Sequence, residues 1–375
     1  SKNVLSIMMQ VFCTSSLMAV LFAVYGYSLT FADGGSLQAV IGGLDKLFMS
    51  GVTKDTVVGT LPEYLYFLFM LLFAAITPAI IVGAFAERMK FAAVLVFMAI
   101  WLTINYIPMA HMAWGGGWVF NLGVQDFAGG NVVHLNVGIA ALVGAWMLGR
   151  RRGFGTSQLA PHNMTMTFTG GCMLWVGWLG FCGGCAPGGN GFAMLVMVNT
   201  MLASCAGALG WMIVEWQHRG RPSLFGAISG AIAGLVAITP ACGYVGPMGA
   251  ILLGLIAGPV CVWSVDKLKP MIGLDDAFDV FGVHGVAGIL GGLLTPVFAL
   301  TAIGGQGFVE GRGLTEQLSV NAGAILFSIT VSAITSWIAF KVAAALCGGL
   351  RVDEEAEMDG LDLSAHGEVG YKYSN

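Results

Sequence analysis

Ten apolar runs of roughly 20 residues, the length that crosses a ~30 Å hydrocarbon core, follow one another along this chain. Their approximate limits are 4–31, 62–86, 91–113, 126–149, 164–186, 192–216, 223–242, 246–266, 277–303 and 319–349. Lipid offers no water to backbone N–H and C=O groups, so runs of this length are read as helices. Composition agrees: 57% hydrophobic and 10% charged residues over 375 positions, with a mean hydropathy of +0.82, cannot cover a soluble globule. The 56 glycines lie among apolar residues, where they suit close helix approach. The fold class expected is an all-α polytopic membrane protein in a lipid bilayer.

Charge placement sets the orientation. Lys2, Arg88, Lys90, Arg150, Arg151, Arg152, Arg219, Arg221, Lys267, Lys269 and Arg351 fall at alternate ends of the runs, while the opposite ends hold only Lys46, Lys54 and Arg312. By the positive-inside rule both ends of this chain are cytoplasmic. Residues 1–350 are read as the transmembrane domain. Residues 351–375, with Asp353, Glu354, Glu355, Glu357, Asp359 and Asp362, are read as a cytoplasmic tail, either a solvated end or a regulatory one. No cleavable signal peptide is visible, because Ser1 to Val4 runs straight into an apolar stretch too long for one. A net charge of -4 gives no case for nucleic acid as a partner. The eight cysteines sit mostly in apolar runs and form no disulfide framework.

Asp126 precedes His134 by eight residues and Asp276 precedes His284 by eight, the pairs being 150 apart on the fourth and ninth runs. Five runs separate them, so the copies point oppositely, as in an inverted repeat built around a central site. Ile76-Thr77-Pro78-Ala79 and Ile238-Thr239-Pro240-Ala241 repeat in the same sense. Eight helical residues rise about 12 Å, so aspartates at opposite faces bring both histidines near the midplane. A single buried histidine is ordinarily a packing residue. Two related by symmetry in lipid mark a transport path, because intramembrane ionisable groups are costly and face cavities. The pair is expected to stay neutral or share one proton through a ring-to-ring hydrogen bond.

Asp126 and Asp279 are read as mainly structural, capping backbone amides at helix starts. Trp114 lies at the end of the third run, as an interfacial anchor or as a cation–π wall. Phe73 and Phe181 are either core residues or an aromatic plug that excludes water and hydrated ions.

Several stretches resemble the ammonium transporters of the Amt/Mep/Rh group, most closely the bacterial Amt branch. They are GAFAERMKF (83–91), NYIPMAHMAWGGG (105–117), DFAGGNVVHLNVGIAALVGA (126–145), GRPSLFGAISGAIAGLVAITPACGYVG (220–246), DVFGVHGVAGILGG (279–292) and GLRVDEEAEMDGLDLSAHGE (349–368). The resemblance implies a homotrimer with one pore per subunit between two inverted five-helix halves. It also implies transport of ammonium, with methylammonium as an analogue, moved as ammonia with or without its proton. Trp114 and Phe73 look like the walls of the recruitment site, Phe73 and Phe181 like the stacked gate, and His134 and His284 like the twin-histidine pair. Asp126 looks like the family's essential aspartate, and Trp178 and Thr239 like further pore-region residues. The resemblance further implies the inner (plasma) membrane and a PII-type regulatory protein docking on the cytoplasmic face. No enzyme activity, cofactor or metal is implied.

Two departures stand out. Where the family has Asn-x-x-Ser after the gate phenylalanine, this chain has Cys182-Gly183-Gly184-Cys185, which replaces a hydroxyl at the recruitment site with Cys185, a weaker acceptor. The pair reads as small packing residues, partial substrate contact, or a redox or metal motif. The match also begins at what would be the family's second helix. The competing functions are an ammonium sensor signalling through its tail, and a membrane thiol oxidoreductase using Cys182 and Cys185.

Overall fold

The computed structural model describes residues 2–156 and 160–371. Each apolar run is a helix: Val4–Phe31, Glu63–Phe85, Phe91–Asn121, Gly130–Leu148, Met164–Gly183, Gly191–Arg219, Leu224–Ile238, Pro247–Ile272, Phe281–Phe298 and Leu314–Leu346. Among the described residues, eight are long and apolar enough to cross a membrane. The other two are Met164–Gly183, whose apolar run threonines and glycines dilute, and the 15-residue Leu224–Ile238. The latter stops short of the expected 242 because the Thr239 and Pro240 carbonyls accept from the Ala128 and Phe127 amides, at 3.1 and 3.0 Å, and so leave the helix. Side-chain caps fix several starts: Asn163, Asn190 and Ser223 each accept from backbone amides of the first turn they precede.

The two halves repeat in the same order with opposite orientation, and local distortions repeat with them. The third and eighth spans carry π-helical turns at Leu102–Tyr106 and Ser264–Leu268. The fourth and ninth open on π-helical turns, Gly130–Leu135 and Phe281–Gly285, each holding its histidine. Thr77 and Thr239 in the repeated Ile-Thr-Pro-Ala both donate back to the carbonyl four residues earlier, Phe73 and Leu235, at 2.7 and 2.8 Å. The exchange between halves is reciprocal. While the loop before the fourth span pairs with the end of the seventh, the loop before the ninth pairs with the end of the second, through Phe278 N donating to Gly83 O at 3.0 Å.

Both chain ends meet on one face. Lys2 donates to the Glu357 carbonyl at 2.9 Å, Asn3 Oδ1 accepts from Leu361 N at 2.8 Å, and Asp362 accepts from Ser6 N at 2.7 Å. The tail there forms two short helices, Glu354–Asp359 and Leu361–His366. Beneath them lies a buried ionic joint. Asp275 accepts from Arg151 Nε and Nη2, both at 2.9 Å, and Arg88 donates to the Asp275 carbonyl at 2.6 Å. Burial alone would raise the Asp275 carboxyl; the Arg151 hydrogen bonds and charge outweigh it and hold it below the usual carboxylate range. Its contribution to stability is therefore present above the unfolded carboxyl value and is lost as pH falls through the folded one.

The fourth and ninth spans cross glycine on glycine: a β-carbon on Gly138 would stand 2.3 Å from Gly285 Cα. Gly138→Ala is expected to lower the thermal unfolding midpoint in detergent by the equivalent of about 1–3 kcal/mol, because backbone cannot yield as a side chain does. Gly170→Ala, where an added carbon meets nothing within 4 Å, is expected to leave the midpoint within the equivalent of about 0.5 kcal/mol.

Candidate functional site

The fourth and ninth spans enter from opposite faces, and neither helix includes its aspartate. The fourth begins at Gly130, after Gly129 turns the chain with a φ of 100°. The expected eight-residue helical climb is thus four residues from Gly130 to His134 and three from Phe281 to His284, a rise of about 4.5–6 Å. The loops before the helices cover the remaining distance. Each helix carries its histidine in its first, π-helical turn, so helix starts rather than helix middles face one another between the halves.

What holds such an inward helix end is a carboxylate. Asp126 Oδ1 accepts from Gly130 N at 2.5 Å and Oδ2 from Asn131 N at 2.9 Å, which satisfies two amides that no lipid could reach. In the ninth span the corresponding group is Asp276, whose Oδ2 accepts from Phe281 N at 2.7 Å. Asp279, the acid singled out from the sequence, is instead ion-paired with Lys269 at 2.6 Å and has a left-handed backbone, φ 58°. The eight-residue spacing was the signal that marks Asp276.

The two histidines meet. Their Nδ1 atoms lie 3.2 Å apart and the rings stack with centroids at 5.3 Å and 28° between planes. A bond between like nitrogens needs one hydrogen and one lone pair, so the pair holds opposite tautomers or shares a proton. Two imidazolium rings would oppose N–H to N–H. The side chain of Asn136, two residues on, accepts no hydrogen bond but donates to Asn105 Oδ1 at 2.6 Å and Val132 O at 3.1 Å, bracing the fourth span beside His134.

From His134 a file of rings runs toward the face opposite the termini. The His134 ring stacks on Trp178 at 5.0 Å and 14°, and lies 5.9 Å from Phe181. Phe181 stacks on Phe73 at 4.1 Å, and Phe73 meets Trp114 edge to face at 5.6 Å. Phe181 and Cys185 pack against the hydrophobic cores of both halves, so the file follows the seam between them. Thr239 accepts from Trp178 Nε1 at 3.0 Å and so fixes the indole against His134. Cys185 directs its thiol hydrogen to the Phe181 carbonyl, 3.4 Å away, and Cys182 is wholly buried 4.0 Å from Thr239 Oγ1. Both cysteines are free thiols, and no group of three or more metal-binding side chains occurs among the described residues.

Trp114 is held from two directions. A β-carbon on Gly129 would lie 3.1 Å from its ring, so the Asp126 loop forms its backing. His111, one turn earlier, places its ring nitrogens 2.8 Å from the Thr30 and Gln38 carbonyls, and Gln38 donates to Gly115 O at 2.9 Å. This clasp by the end of the first span and the loop after it had no signal in the sequence, because its acceptors are backbone carbonyls.

Residues 1–371 match the Ammonium Transporter Family. An ammonium transporter of Bacillus subtilis (strain 168) is 44% identical over 381 residues, spanning 100% of this chain and 92% of that protein. Among solved structures, Mep2 of Candida albicans aligns with a TM-score of 0.85 at 34% identity, over 95% of this chain and 80% of that one. A structure described as a sensor Amt protein aligns with a TM-score of 0.88 at 29% identity, over 98% and 91%. With a match along nearly its full length, a multi-pass helical fold and no enzyme among these relatives, the chain belongs to the ammonium transporter family.

Proposed function

We propose that this transporter recruits ammonium at the Trp114 face, removes its proton there, and passes ammonia between Phe73 and Phe181 and along His134 and His284 to the face bearing the termini. The observation that carries the reading is the unbroken contact of these rings from Trp114 to His284. Stripping water from a cation is far costlier than stripping it from a neutral molecule, so a dry aromatic constriction favours ammonia and rejects potassium. Trp114 and Phe73 offer quadrupole faces to the entering cation, and Cys185 offers a soft, weakly accepting sulfur in place of a hydroxyl. The histidine pair, with one proton between two nitrogens, is suited both to hydrogen-bond ammonia and to relay a proton. Asp126 keeps the Gly129–Gly130 loop behind Trp114 without itself facing the path.

The excess of Lys and Arg on the face of the termini supports an inner-membrane protein with a cytoplasmic tail. Association as a homotrimer and docking of a PII-type protein on that face belong to the same reading. A sensor role is the second reading. It is favoured by the tail's many bonds to the rest of the chain: Glu357 alone accepts from Arg152 N at 2.8 Å and pairs with Arg351 at 2.7 Å, while Arg351 also donates to Leu148 O at the end of the His134 span.

Replacing both His134 and His284 with alanine is expected to change methylammonium uptake and to weaken discrimination against potassium in vesicles. Uptake and selectivity equal to wild type would refute the paired-histidine path. Asp126→Ala, which strips two amides of their acceptor, is expected to cost about 0.5–2 kcal/mol in thermal unfolding and to depress uptake. Asp126→Asn, which keeps one acceptor, should fall between; unchanged uptake and unfolding in the alanine variant would remove Asp126 from the recruitment site.

A further inference from the structure

The two capping aspartates are related by symmetry but differ in one atom. Asp126 has both oxygens occupied by amides. Asp276 uses Oδ2 for Phe281 N, while its Oδ1, on a side chain only 2% exposed, has no hydrogen-bond partner. A buried carboxylate oxygen without a protein donor is costly, on the order of 1–3 kcal/mol or more, and is open to a donor such as water or an imidazolium N–H. Asp276 lines a cavity with Leu142, Lys269, Leu274 and Phe281, on the His284 helix start and toward the face of the termini.

We propose that Asp276 is the proton acceptor on the termini side of the histidine pair, which rests on the deprotonation reading above. The proton that leaves ammonium passes to the paired imidazoles. The imidazolium then gives its N–H proton, by way of water, to the Asp276 carboxylate, leaving a neutral ring and a carboxylic acid. The acid releases the proton to bulk water past the Lys269–Asp279 ion pair, so each ammonium delivers one ammonia and one proton. Around Asp276 stand Asp279 and Lys269, the adjoining Asp275 held by Arg151, and the Arg88 guanidinium. Burial first, then the Asp279 charge, lift the Asp276 carboxyl to about 6 against the Phe281 amide and Lys269. A group there takes and returns protons near neutral pH.

The test uses the full chain in oriented proteoliposomes, with ammonium pulses as the probe and pH varied at the termini face. Wild-type current is expected to fall as that pH drops below about 6, because a protonated Asp276 accepts nothing. Asp276→Asn keeps an acceptor for Phe281 N but cannot be protonated, so its current is expected to fall on the order of 100-fold and lose that pH dependence. Asp276→Glu is expected to recover current with a displaced pH profile. Wild-type current and profile in Asp276→Asn overturn the proposal, and so does an Asp276→Glu variant as inactive as Asp276→Asn with an equally lowered unfolding midpoint, which marks a structural role. If the His134/His284 double variant loses current while Asp276→Asn keeps it, this inference alone falls. If the wild type carries no ammonium current, the proton relay of the broader reading falls with it.

Discussion

The contact of Gly138 with Gly285 is the constraint on which the site depends. Only bare backbone lets the fourth and ninth spans come this close, and only at this separation can two imidazoles borne on opposed helices reach 3.2 Å. Side-chain packing in lipid gains no hydrophobic driving force, so small residues that allow backbone contact decide which helices meet. The crossing is well defined because main chain meets main chain there, and backbone cannot move aside by a rotamer change.

The second requirement follows from the first. Helices that meet in the middle of the molecule through their starting turns expose amides where no water reaches, and the structure answers with carboxylates whose negative charge also suits the helix dipole. The carboxylates that stabilise the helix ends precede the turns that carry the histidines. On the reading proposed above, Asp276 serves both the helix end and the passage of the proton. The π-helical turns that begin both spans shift the hydrogen-bond register at the histidines, a distortion common at functional sites.

Much of this is legible in the residues themselves. Ten helices lie where ten apolar runs fall, and the eight-residue offset of Asp126 and Asp276 from His134 and His284 marks one element present twice. What composition cannot carry is the path of the backbone. Gly129 in a left-handed conformation ends the loop and starts the helix late, so a continuous climb from Asp126 was an error of geometry rather than of residue choice. Asp279 drew notice as a helix-start acid, yet Lys269, ten residues earlier, binds it, and only tertiary placement separates it from Asp276. The clasp of His111 by the Thr30 and Gln38 carbonyls is similarly invisible, since main-chain oxygens are the same in every sequence.

A neutral molecule crossing a dry constriction while its proton crosses separately is the central claim. It is tested most directly by measuring labelled methylammonium uptake and charge movement at once in the same proteoliposomes. The account predicts one charge for each methylammonium delivered, and no current when potassium replaces ammonium. A charge-free flux, or a current carried by potassium, would contradict it.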